Sequence, residues 1–592
     1  MSKKRIALIL SSLLGIFLIS ACILWHCSQS EDKRFEAFLS SFFCQELSGN
    51  SLTLHYTLKD PSAYGLEDVP PSLGSFSSDS TEYGLSLENT IKRVSSFDRS
   101  RLSSENQLTY DVLLDYLNTS LKGAPYLLYN EPLTPLTGIQ SQLPILLSEY
   151  PFYDRQDVDS YLALLSCIPD YFNELLVFEQ KKSDAGFFMS SSCLDSILEE
   201  CQTFLSLGDN CYLYDTFQER LKTLNLSDSD RKAYIKAHQK VMEASVFPAF
   251  HLLEENLPAL KGSDHESGGL CHLPGGKDYY QTLVLSETGS GRTIPELKEL
   301  TVRQMNEDLL AIQDIYASMP ENPSVSSDLL KGQGYSFAES NPAAILAGLE
   351  QKLSDNFPAP PDVSIQIKYV QESMEENLSP AFYMIPPVDH SSENVIYINR
   401  GHMPDDLTLF TTLAHEGYPG HLYESTWFNS TNPHPIRKLL NYSGYSEGWA
   451  TYVEMRSFAW TGVSDSIAQA LSANQDFSLG LCARVDMGVN YQGWTREETT
   501  EYMNQFGMGD EDTVTWLYEA VVAEPSNYLS YYIGYKEFEA LRAEAEEALG
   551  TDFDPVSFHE FILTTGPAPF DLIREQMDVW ISQVNDGNAQ AA

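Results

Sequence analysis

The 592-residue chain carries 37 Lys and Arg against 83 Asp and Glu, a net charge of −46 with a pI near 4.4. Nucleic acid is excluded as a partner, because phosphate neutralisation needs clustered cations. An anionic lipid surface is excluded too, beyond the first few residues. With 43% hydrophobic and 12% aromatic residues, the chain can bury large cores and does not read as disordered.

The amino end has Lys3, Lys4 and Arg5 ahead of an uncharged apolar run from residue 6 to residue 25. A basic flank before such a run is the pattern of an export signal. The run is long enough to cross a bilayer as one helix, which takes about 20 residues. Alternatively, Ile19-Ser20-Ala21-Cys22 resembles a lipobox, with Cys22 as the lipidated mature amino end. Both readings place the protein outside the bacterial cytoplasm, anchored to the membrane through residues 1–27. Nine cysteines are present without a C-x-x-C pair, so no zinc ribbon or thioredoxin-like site is expected. Cys193, Cys201 and Cys211 lie close enough for a local disulfide in an oxidising compartment, with buried free thiols as the alternative.

Residues 28–260 read as a helical amino-terminal lobe. Apolar residues recur at three- and four-residue spacing over 157–179 and 193–207. Prolines at 70–71 and 132–135 mark connections. A Gly/Ser-rich stretch at 262–276 marks the boundary to a helix-rich catalytic lobe, residues 261–592. There, 294–319 predicts a long amphipathic helix, and alternating β-branched runs at 363–370 and 395–399 predict two strands of a small sheet. Helical periodicity then holds to the end, with 528–549 stopped by Gly550 and a further helix over 555–563. The fold class is mainly α, with a small sheet beside the segment that carries the chemistry.

That segment is H-E-G-Y-P-G-H at 415–421, entered from an apolar helix. In the zincin pattern H-E-x-x-H, two His lie one turn apart on a helix and hold a metal, while the Glu takes a proton from water. Here the second His comes six positions after the first, a rotation of about 600° on a straight helix. Pro419 cannot donate to the carbonyl of His415 and clashes with it, and Gly420 accepts unusual dihedrals. The helix is therefore expected to break there and return His421 towards His415. The third ligand should come from S-E-G-W-A-T-Y-V-E, where Glu447 and Glu454 are seven residues apart on one helix face. Glu447 is favoured as ligand, leaving Glu454 to orient a ligand His.

H-E-G-Y-P-G-H, E-G-W-A-T-Y-V-E at 447–454, G-W-T-R-E at 493–497, S-Y-Y-I-G-Y at 530–535, L-P-G-G-K-D-Y-Y at 273–280 and F-D-P-V-S-F-H-E-F-I-L at 553–563 together resemble the bacterial domain-of-unknown-function 885 family. The resemblance covers almost everything after the signal. It implies a helical zincin-like metallopeptidase with Zn2+ held by His415, His421 and Glu447 and with Glu416 as catalytic base. One departure is Asn490, where the family pattern has His; a substrate-binding His would here be replaced by a neutral donor. For a second donor to the oxyanion, Tyr528, Tyr531, Tyr532 and Tyr535 are available, and the resemblance points to Tyr531. Arg484, Arg496 and Arg542 are candidate clamps for a substrate carboxylate.

The expected function is a membrane-anchored, extracytoplasmic zinc peptidase, with a peptide as substrate and exopeptidase action on short peptides as its narrower form. A non-catalytic surface protein binding peptides or glycans, or a metal hydrolase of non-peptide amides, would share the same residues.

Overall fold

The structure is a computed structural model that describes residues 30–260, 268–318, 341–371, 375, 378–402 and 406–591. The signal segment with Cys22, and the first part of the Gly/Ser-rich boundary (261–267), lie outside the described residues. Helices take 73% of the chain and strands 3%, so the fold is mainly helical with one small sheet.

The helices that frame the site are α1 (Arg155–Ala185), α2 (Ile294–Ser318), α3 (Asp406–Glu416), α4 (His421–Ser430), α5 (Ser443–Ser457), α6 (Asp465–Met487), α7 (Asn527–Leu549) and α8 (Pro555–Thr565). Local sequence explains their ends. Asp154 and Asp157 form a reciprocal cap at the start of α1. α7 stops at Gly550, whose φ of 54° suits a residue without Cβ. α8 begins with Pro555 after the side-chain cap of Asp554.

Three strands make the sheet: β1 (Ser364–Tyr369), β2 (Ala381–Met384) and β3 (Glu393–Ile398), in the order β1-β3-β2. β1 runs parallel to β3 with Ser364 opposite Glu393, and β2 antiparallel with Ala381 opposite Ile398. β2 was not expected from the sequence, since a four-residue strand within the Pro380–Pro386 interval is too short to establish an alternation.

Two large cores hold the molecule. Residues from 133 to 257, including Val158, Phe172 and Leu175 of α1, pack around one. The other joins Phe35, Leu39, Val112 and Leu117 from the first helices to Leu413, Tyr445, Trp449, Phe538 and Ile562 of the motif-bearing half. Cys193, Cys201 and Cys211 are buried free thiols, and the other cysteines among the described residues are unpaired as well.

The backbones of α5 and α7 touch. A Cβ on Gly448 would strike the backbone of Gly534, and one on Gly534 would strike the carbonyl of Gly444. Three glycines thus allow the helix carrying Glu447 and Glu454 to lie directly against the helix carrying Tyr531.

Candidate metal centre

α3 ends at Glu416, directly after His415, and α4 starts at His421, so the expected break occurs between the two histidines. Gly420 is the N-cap of α4 and sits so close to the preceding turn that a Cβ there would overlap the carbonyl of His415. The indole Nε1 of Trp449 donates to the carbonyl of Pro419 at 2.9 Å, tying the loop to α5. This fold-back brings the two imidazole rings to a centroid separation of 4.8 Å.

Glu447 reaches them from α5. Its Oε2 lies 3.6 Å from His415 Nε2 and 3.5 Å from His421 Nε2. One ligand atom from each of the three residues lies within 4.8 Å of the others. Two imidazole nitrogens and one carboxylate oxygen match the donor set of catalytic zinc sites, which leave a fourth position open. Glu454, two turns on, takes the other ring nitrogen of His415, with Nδ1 and Oε2 3.0 Å apart. That contact directs Nε2 towards Glu447 and His421.

Burial alone would lower both histidines. The carboxylates of Glu447 and Glu454 instead hold His415 well above its ordinary range, and Glu447 raises His421. Burial opposes ionisation of Glu447, but His421 and His415 overcome it and bring its pKa far below the usual carboxylate value. The cluster favours imidazoles facing a charged carboxylate, an arrangement a divalent cation can replace by displacing protons.

Glu416 projects beside this group, and its Oε2 accepts the backbone N–H of Tyr383 at 2.8 Å. Burial raises its pKa while His421 and His415 pull it down. Tyr531 approaches from α7, its ring 6.3 Å from His415 and its hydroxyl bonded to Glu447. Burial and the charges of Glu447 and Glu416 push that phenol well above its usual pKa, so it remains a donor.

Residues 73–577 match a family described as "Bacterial protein of unknown function (DUF885)". The chain belongs to this family. Among solved structures, the protein titled "the putative lipoprotein from Colwellia psychrerythraea" is similar to this DUF885 chain with a TM-score of 0.79 and 17% identity, covering 93% of this chain and 99% of its own. A "putative lipoprotein of unknown function from Shewanella oneidensis" is similar with a TM-score of 0.62 and 16% identity, covering 92% and 99%. At such identities the likeness is one of fold. No curated protein matches the sequence at a significant level.

The structure therefore brings His415, Glu416, His421, Glu447, Glu454 and Tyr531 together. It places Asn490 and Arg484 elsewhere. Asn490 is fully buried in the π-helical turn after α6: it accepts from Leu270 N–H at 3.0 Å and donates to Val521 O at 2.8 Å and Asp486 Oδ1 at 3.1 Å. Both polar atoms of this side chain are thus bonded within the protein. Arg484 is buried against the Trp494 ring and donates to Gln492 at 2.7 Å. Arg496 pairs with Glu519 and Arg542 with Glu546, so none of the three arginines is bonded to the metal-centre residues. Sequence reading missed the Tyr383 backbone contact and the Trp449 tie. The first has no side-chain signature, whereas the Trp within E-G-W-A was a visible signal.

Proposed function

We propose that this protein is an extracytoplasmic zinc-dependent peptidase, held at the cell membrane by its amino-terminal anchor and built on a zincin-like scaffold. The convergence of His415, His421 and Glu447 within 4.8 Å carries the reading. Zinc, when bound by these residues, supplies a Lewis acid that acidifies water and polarises a carbonyl. The description of both similar proteins as a "putative lipoprotein" supports the location, and the basic-then-apolar amino end supports it independently.

The residues divide the work. Glu454 fixes the His415 ring. Glu416 is anchored through Oε2, which leaves Oε1 to take the proton of an attacking water and deliver it to the leaving amine. Tyr531 donates its hydroxyl proton in a hydrogen bond to the negative charge that develops on the carbonyl oxygen. Strand β2 orients the peptide. It is an edge strand, and Tyr383 turns its N–H away from β3 towards Glu416. An extended peptide laid along that edge would pass its carbonyls beside Glu416 and add a strand to the sheet.

Elemental analysis of purified protein, together with hydrolysis of a broad peptide library, tests the proposal. One zinc per chain and metal-dependent cleavage are expected. Bound zinc without turnover of any peptide would replace the peptidase with a surface binding protein. Absence of stoichiometric metal under zinc-replete conditions would remove the basis of both.

A further inference from the structure

A cavity of about 700 Å³ lies between the amino-terminal helices and the start of α7. Its position relative to the metal centre is fixed by two helices. Asn527 lines it and stands one turn before Tyr531 on α7. Glu287 also lines it and bonds to Ser443, which stands one turn before Glu447 on α5. The cavity thus adjoins the amino-terminal ends of the helices that supply a metal ligand and the tyrosine donor.

Three carboxylates line it, Glu131, Glu287 and Glu524, and no Lys or Arg does among the described residues. In a chain of net charge −46, an acidic lining by itself says little. The state of each carboxylate says more. Glu131 is neutralised by the buried Lys182. Neither Glu287 nor Glu524 forms an ion pair with a Lys or Arg among the described residues. Glu524 is held in place: its Oε1 accepts from Thr134 Oγ1 at 2.6 Å, Thr137 N at 2.9 Å, Leu136 N at 3.1 Å and Thr137 Oγ1 at 3.1 Å. All these bonds go to one oxygen, which leaves Oε2 for a partner in the cavity. Those four donors fix the carboxylate at the cavity wall, so a cationic group could meet it with little further ordering of the side chain. Around it, Phe76, Tyr129, Phe178 and Tyr279 supply an apolar wall that suits the hydrocarbon stem of a cationic side chain.

We infer that this cavity is a substrate subsite that takes a cationic group, either a peptide's free amino terminus or a Lys or Arg side chain, with Glu524 and Glu287 as its specificity-determining residues. This rests on the peptidase reading for its role as a substrate subsite. Cation binding itself does not require that reading. No Lys or Arg lines this cavity among the described residues, so recognition of a substrate through its positive end accords with the groups present.

The test is calorimetric titration of the detergent-solubilised full chain after chelation, so that neither metal nor turnover enters the result. Four peptide amides serve as probes: Ala-Ala-Ala, acetyl-Ala-Lys-Ala, acetyl-Ala-Ala-Ala and acetyl-Ala-Glu-Ala. At least one of the two cationic probes should bind at one per chain, about tenfold or more tighter than the neutral and acidic ones. Which of the two binds distinguishes the amino terminus from the side chain. Glu524→Gln keeps the acceptor for the Thr134–Thr137 donors and should erase the preference. Glu287→Gln should weaken it independently, while Glu497→Gln on an exposed helix should leave it intact. Equal affinities for all four probes, or a preference that survives both cavity substitutions, would overturn the inference. A negative zinc or hydrolysis result would overturn only the peptidase reading.

Discussion

Two polar clusters on neighbouring helices differ in how their atoms are used. Asp486 at the end of α6 receives Tyr280 Oη–H at 2.6 Å and Asn490 Nδ2 at 3.1 Å on one oxygen, and Ser526 N–H at 2.8 Å on the other. Asn490 and Asp486 are wholly buried, and each polar atom of their side chains has a protein partner. The candidate metal centre is the opposite case. Two imidazoles and a carboxylate turn towards one point, 12–27% exposed, at separations longer than ordinary hydrogen bonds. A closed network specifies structure; convergent donors around a shared space specify a ligand. Substitutions in the two clusters should therefore have different kinds of effect.

The largest difference is expected at His415→Ala and His421→Ala. Each should abolish stoichiometric zinc binding and all hydrolysis while circular dichroism stays close to wild type, because three ligands hang on a scaffold held by separate cores. Retention of wild-type metal content and turnover by either variant would make the cluster structural, like the one around Asp486. Glu416→Gln comes next. The amide can still accept the Tyr383 N–H but cannot take a proton, so zinc occupancy should persist while kcat falls about 100-fold or more. Full rate with full metal would leave Glu416 as a tether for β2. Glu454→Gln should be milder, weakening zinc affinity about 10- to 100-fold by loosening the His415 ring, read by competition with a chelating dye.

Much of the geometry of the candidate metal centre was legible because it is encoded locally. The Pro419-Gly420 pair announced the break that α3 and α4 display, and the seven-residue spacing of Glu447 and Glu454 put both on one helix face. The two longer strands and the helices at Ile294–Ser318, Asn527–Leu549 and Pro555–Thr565 followed from periodicity and caps. What could not be read depends on tertiary contact. β2 is too short to announce itself, and its part in the site is a backbone N–H that any residue would supply. The roles of Asn490 and Arg484 depend on Leu270, Val521 and Trp494, brought near by folding. Joining of the first helices to the motif-bearing core follows from Phe35 and Leu117 packing with residues hundreds of positions away.

Asn490→Ala sharpens the comparison from the closed side. It removes an acceptor from Leu270 N–H and a donor from Val521 O and Asp486, all within the buried network. Leaving such groups unsatisfied costs about 1–3 kcal/mol. Thermal and urea unfolding should report that loss, with zinc content and KM unchanged in the folded fraction. A specific rise in KM without loss of stability would restore Asn490 as a substrate donor.

The smallest expected effect is a pH dependence from Asp486. Burial raises its pKa from 3.8 to about 7, although its bonds from Tyr280, Asn490 and Ser526 act in the opposite direction. The folded state therefore binds the proton more tightly than the unfolded chain. Its contribution to stability is fully present below the unfolded pKa and is lost as pH rises through the folded one. Between about pH 6 and about pH 8 that loss should approach ~1 kcal/mol. Asp486→Asn removes the titration, so its stability should change less than wild type over this interval when both are followed by urea unfolding at fixed ionic strength. The same pH slope in both proteins would mean that Asp486 is ionised in the folded state, and that Ser526 and its neighbours satisfy the charge as well as the hydrogen bonds.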